Sequence, residues 1–254
     1  MKKILLVALL QLTAASLCAQ GKSFWTATQL SANSKSDQLL KKELPKAFKT
    51  FALNYTDLQK ALLKLTSGNS ESIAVSIPNE TGNFEVFKVT EASVMEPELQ
   101  AQFPTIRSFS GVSIENPATI IRFSLSNEKG FSGIIRTADK GTIIIDPLTK
   151  DYSQYIVFSR KDAGREIPFQ CSTEATEIEE QVLQRGVLNN ADDAQLRRFR
   201  LAMSCTGEYT AFHGGTVAGA MAAINATVTR VNGVFENDFN VRLILIATNA
   251  NVVY

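Results

Sequence analysis

Apolar residues recur along this chain with two different periods, and the places where the period changes divide it. Residues 20–36 are largely polar and anchored by Phe24 and Trp25. Leu39, Leu40, Leu44 and Phe48 then follow a helical spacing interrupted by Pro45. Thr56 reads as the N-cap of a second helix, with Leu58, Ala61, Leu62 and Leu65 on one face and Ser67-Gly68-Asn69-Ser70 ending it. From 71 to 160 the pattern shortens to alternation. Strands are predicted near 73–77, 84–89, 119–125, 131–136, 142–145 and 155–158, with turns at 79–83, 127–130, 139–141 and 146–147. Closely spaced strands with short turns predict an antiparallel sheet, with the helices of 37–65 packed beside it.

The pattern changes again further on. Glu174, Glu177, Glu179, Glu180, Asp192 and Asp193 crowd 172–195, which holds no aromatic residue and reads as a solvated acidic linker. A β–α–β series follows, with a strand at 199–205, an amphipathic helix at 216–235 and a nearly all-apolar strand at 241–247. Val217, Met221, Ile224, Val228, Val231 and Phe235 share one helix face, predicted to lie on a parallel pair of strands. One helix and two strands cannot bury their own faces, so 196–254 is expected to open a larger domain and to leave that stripe exposed on its own. The fold class is therefore an α+β, β-rich domain followed by the first part of an α/β domain.

Composition narrows the function. Lys2 and Lys3, an apolar run through Leu17 and the small Ala19 have the layout of a secretory signal peptide over 1–19, cut after Ala19 or Gln20. The run is short for a bilayer span, and no later segment approaches one, so a secreted product without a transmembrane anchor is expected. Cys18 departs with the leader. In an oxidising compartment Cys171 and Cys205 can pair, or stand as one reactive thiol and one buried one. The formal charge of +1 gives no reason to expect nucleic acid. The single histidine, His213, excludes a histidine-rich metal site made from these residues alone. It reads better as a loop residue near a helix start than as a ligand or base.

No phosphate-binding loop, dinucleotide fingerprint, CxxC pair or HExxH run occurs. Asn225-Ala226-Thr227 fits a glycosylation sequon but falls mid-helix, where helix surface is the expected role. Asn54-Tyr55-Thr56 and Asn79-Glu80-Thr81 fall in loops. An exported β-rich unit, an acidic linker and an unfinished α/β unit suit a zymogen, and equally a secreted β-rich binding or inhibitory module.

A resemblance separates these two. Arg198-Phe199-Arg200-Leu201-Ala202-Met203-Ser204-Cys205, the 216–235 helix with Val231-Asn232-Gly233-Val234-Phe235 near its end, and Asn240-Val241-Arg242-Leu243-Ile244-Leu245-Ile246 resemble the start of the catalytic domain of reprolysin-type zinc metallopeptidases, metzincins of the adamalysin kind. Cys205-Thr206-Gly207-Glu208-Tyr209 and Phe212-His213-Gly214-Gly215-Thr216 are similar to secreted bacterial members. Upstream, Phe109-Ser110-Gly111-Val112, Gly130-Phe131-Ser132-Gly133-Ile134-Ile135 and Ile145-Asp146-Pro147-Leu148 are similar to the propeptide. The resemblance implies a signal peptide at 1–19, a propeptide at 20–171, the linker at 172–195 and the N-terminal part of a peptidase domain at 196–254. It implies zinc, protein or peptide substrates, and a propeptide packed on its own catalytic domain.

The family's HExxHxxGxxH motif, whose histidines hold zinc and whose glutamate polarises the attacking water, is absent from these residues, so none of them is assigned a catalytic role. By the resemblance Cys171 becomes a candidate inhibitory zinc ligand, against a buried thiol or a disulfide with Cys205. Calcium is not supported, because the first strand offers Arg200 and no acid. Arg185 in the linker and Arg197-Arg198 at the first strand are candidate processing sites, with Arg185 the more accessible.

Overall fold

The computed structural model describes residues 21–29, 39–40, 43–65, 71–139, 141–164 and 195–254. The leader with Ala19 and Gln20, the turn at 67–70, Cys171, and the acidic linker with Arg185 lie outside the described residues.

Ten strands form one sheet: β1 (Lys22–Ser23), β2 (Trp25–Thr28), β3 (Lys49–Leu53), β4 (Ile73–Pro78), β5 (Phe84–Glu91), β6 (Arg107–Ser113), β7 (Ile120–Ser126), β8 (Gly130–Thr137), β9 (Gly141–Pro147) and β10 (Gln154–Ser159). Their order is β1-β4-β5-β6-β7-β8-β9-β10-β3-β2. The expected antiparallel sheet over 71–160 is present: β4 to β10 each pair antiparallel with the next. The two ends of this order, β1 and β2, are separated in the chain by Phe24 alone. One extended stretch therefore touches both edges, and the sheet is a nearly closed barrel.

Closure buries the inward side chains. Phe51, Phe87, Phe109, Phe123, Phe131 and Tyr155 are fully buried in a single core with Val75, Ile77, Ile121, Ile135 and Ile145. Trp25 meets Phe131 and Tyr155 edge-to-face at centroid distances of 5.1 and 5.2 Å. Helix α1 (Tyr55–Leu62) packs Leu58 and Leu62 into the same core. Its N-cap is Asn54, whose side chain accepts from the Asp57 N–H, and not Thr56. That contact occupies the first loop sequon, and Asn79 likewise accepts from the Thr81 and Asn83 N–H groups.

The helix expected around 39–48 is not formed in the described residues. Leu39 bridges to Thr149, while Leu44 and Phe48 pack on Leu148, Ile156 and Phe158 outside the barrel core. Lys49–Leu53 is strand β3, not a helix continuation. Pro45 disfavours helix through this stretch, and pairing with β10 on one side and β2 on the other claims the backbone that follows. Strands β1, β2 and β6 also have no counterpart among the expected strands.

The C-terminal unit comprises β11 (Arg197–Leu201), α3 (Gly207–Phe212), α4 (Val217–Phe239) and β12 (Val241–Leu245). The expected parallel pairing holds, with Phe199 opposite Leu243. Thr216 caps α4 by accepting from the Gly219 N–H at 3.0 Å, and Asn240 ends it in the left-handed conformation at φ 53°. The helix thus runs a turn beyond the expected 235. The helix buries Met221, Ile224 and Val228 of its stripe, as its packing on the strand pair predicts, and the barrel region covers what was expected to stay exposed. Val217, expected to be buried with them, is 41% exposed. Strand β12 is not covered on both faces, since only Leu245 of its residues is buried.

Candidate functional site at the seam between barrel and C-terminal unit

The connection from β5 to β6 leaves the barrel and builds part of a second core. Val94, Met95, the Leu99 of α2 (Pro97–Gln102) and Ile106 are buried with Met221, Ala222, Ile224, Val228 and Leu245. The backbone joins as well. Leu245 donates its N–H to the Val94 carbonyl at 2.8 Å, and Glu96 donates to the Leu245 carbonyl at 2.9 Å. Met95 thereby makes a parallel bridge with Leu245, so barrel-side chain extends the β11–β12 pair at the β12 edge. Glu96 fixes this register through its side chain. Its carboxylate accepts from the Ala247 N–H at 2.7 Å and from Arg200 Nε at 2.6 Å. The Arg200 guanidinium first, then the Ala247 N–H, hold the Glu96 carboxyl below its ordinary pKa.

The opposite side of α4 faces strands β6, β7 and β8. Small residues make the close approach possible. A methyl group on Gly233 would stand 3.0 Å from both Arg122 Cγ and Ile134 Cδ1. The contact is polar. The Ser108 hydroxyl lies 3.1 Å from Asn225 Oδ1 and 2.8 Å from Thr229 Oγ1. Buried Arg122 pairs with Glu236, which also accepts from Arg242 Nε at 2.6 Å. Burial, and after it the Arg242 charge, lowers the Arg122 pKa to about 9. Arg230 pairs with Asp146, and Arg136 with Asp238 at 3.1 Å. Asn225 is 1% exposed, so it is an interior residue against the barrel, not helix surface.

His213 ends α3, just before α4, with the Tyr209 and Phe212 rings 4.4 and 4.9 Å away. Its Nδ1 is 3.2 Å from Lys129 Nζ on the barrel. Burial, then the Lys129 charge, lowers its pKa, which keeps the ring neutral and able to accept from the ammonium. Cys205 is a free, half-buried thiol whose Sγ lies 3.7 Å from Thr210 Oγ1. Arg197 and Arg198 both lie within β11, opposite Val241 and Arg242, so a cut between them requires that strand to leave its pair.

Among the described residues no three of His, Cys, Asp and Glu gather as a metal site, and His213 has a lysine and two aromatic rings as neighbours. These residues do not fit a catalytic zinc. What the structure brings together instead is Glu96 with Arg200, and Arg122 with Glu236 and Arg242. None of the five stands out as a motif. The one local sign is Arg122 itself, a charge inside the apolar run Ile120-Ile121-Arg122-Phe123.

Residues 196–254 match the family model described as metallo-peptidase family M12B, reprolysin-like. That family is zinc-dependent. The matched residues are the C-terminal unit, and the barrel lies outside them. No curated protein and no solved structure matches the chain.

Proposed function

We propose that this chain is the N-terminal portion of a secreted zinc metalloendopeptidase zymogen, with the barrel as propeptide and 196–254 as the opening of the peptidase domain. One observation carries this reading. The residues that match the reprolysin-like family are those whose core and β12 edge are completed from the barrel side. A propeptide that shares a core with its enzyme keeps that enzyme folded and occupied until the connection is cut. The open face of β11, where Phe199 is 52% exposed, is consistent with further peptidase structure packing there. Hydrolysis of protein or peptide substrates belongs, in this reading, to the whole protein. Cys171 is the proposed thiol that holds it latent, and Arg185 the proposed first cut.

The test is secretion of the full-length precursor, followed by peptidase assays before and after cleavage at Arg185, with and without a zinc chelator. The reading requires chelator-sensitive hydrolysis that appears on cleavage. It also requires early activity in Cys171→Ser, because a hydroxyl is a poorer zinc ligand than a thiolate. A cleaved, folded, zinc-supplied protein without hydrolysis would leave a secreted binding or inhibitory module.

A further inference from the structure

A cavity of about 300 Å³ opens where the barrel meets α3 and α4. Lys129, Asp146 and Tyr152 line it from the barrel, and Tyr209, His213 and Arg230 from the C-terminal unit. Its volume is at the small end of the range for ligand sites, enough for a single ring with one substituent.

The charges in it do not balance. Arg230 spends Nη2 on Ser132, at 2.6 Å, and on Asp146, but its buried Nε finds no acceptor among the described residues. Lys129 has the neutral His213 as its hydrogen-bond partner and no carboxylate within ion-pair distance among the described residues. Two cations therefore face one carboxylate, in a place where burial already disfavours the Lys129 charge. The Asp146 charge is shared between Lys129 and Arg230, whose like charges oppose each other, so one half-buried positive charge is left over and an anion in the cavity offsets it. Around these groups the walls are aromatic. Tyr152, Tyr209 and, at the rim, Phe212 offer ring faces or edges to an apolar body.

We propose that this cavity binds a small organic monoanion, a carboxylate on an aromatic or apolar body, with Lys129 and the Arg230 guanidinium that lines the cavity taking the carboxylate. The site exists only while barrel and C-terminal unit are docked, because each contributes one of the two cations. Its ligand therefore favours the docked state by mass action. The assignment does not depend on the peptidase reading.

Benzoate is the probe, titrated into the full chain by calorimetry and by thermal melting, with benzamide as its neutral counterpart. Saturable benzoate binding is expected, with a rise in melting temperature. Binding should be at least about tenfold weaker for benzamide and in Lys129→Met. Phe212→Ala alters a side chain that is 83% exposed, so the fold should survive while benzoate affinity falls severalfold. The proposal is overturned if benzoate does not saturate, if benzamide binds equally well, or if a folded Lys129→Met binds benzoate as wild type does. Should Lys129→Met not fold, undiminished affinity in Phe212→Ala overturns it.

Discussion

The barrel and the C-terminal unit solve the problem of burial in opposite ways. The barrel closes a sheet on itself, and its core of stacked and edge-on aromatic rings is drawn from its own strands and α1. The C-terminal unit has two helices and two strands, and four of the nine fully enclosed side chains in its core come from the β5–β6 connection. Its other boundary, between α4 and the barrel wall, is polar and charged. A core built from one segment lasts as long as that segment folds. A core built from two lasts only while both stay together, and polar contacts make that union sensitive to charge.

The sharpest way to break this contrast is Trp25→Ala. Removing a ring at 4% exposure that contacts Phe131 and Tyr155 should cost about 3–5 kcal/mol. Urea unfolding followed by circular dichroism should show both regions lost together. A C-terminal unit that survives would show that it does not need the barrel.

Glu236→Gln should act the other way. It leaves Arg122 in the barrel wall without its counter-charge, at a cost of about 3 kcal/mol. Amide exchange in α4 should accelerate while Trp25 fluorescence, a reporter of the barrel core, stays native. Coincident loss of both signals would make the two regions one cooperative unit.

Gly233→Ala sets two small effects against each other. Helix propensity gains about 1 kcal/mol, and overpacking against Arg122 and Ile134 costs about 1–3 kcal/mol. A net loss of about 1 kcal/mol is expected in the denaturation midpoint. A net gain would show that the seam is looser than its distances.

The smallest effect belongs to Glu96. Its pKa is lower folded than unfolded, so the stabilisation is fully present above the ordinary carboxylate value and is lost as pH falls through the lowered one. Docking at the β12 edge should therefore weaken in acid, below about pH 4. Glu96→Gln should flatten that dependence, measured as exchange of the Leu245 and Ala247 amides against pH. An unchanged acid profile would remove Glu96 as its source.

Short turns set between alternating or wholly apolar runs made most of the barrel legible, in β4, β5 and β7 to β10. Strands β1, β2, β3 and β6 were not legible. Trp25-Thr26-Ala27-Thr28 carries one apolar anchor, and its partners lie in β3, which proximity to helical spacing disguised. Helix α4 was found by its stripe, but its burial on nearly every side was not, because Asn225, Thr229 and Asn232 look like surface residues. Their partners are Ser108 and the β12 backbone, where Asn232 exchanges two 2.8 Å hydrogen bonds with Leu243. Pairings of that kind are set by tertiary contact and have no local signature. The resemblance implies a packed seam, but its residues have no local signature for the same reason: Glu96 and Arg200, like Arg122 and Glu236, are far apart in the chain.

The single residue between β1 and β2 also sets the order of events during synthesis. Residues 22–28 leave the ribosome first, yet the strands they join, β3 and β4, and the Tyr155 ring under Trp25 come later. The ring can be clasped only after β10 has arrived. Until then Trp25 waits with an exposed apolar face while β9 and β3 keep unpaired edges, the state in which β-rich chains associate wrongly. A factor that shields Trp25 during the interval should raise the yield of closed barrel without altering the stability of the finished one.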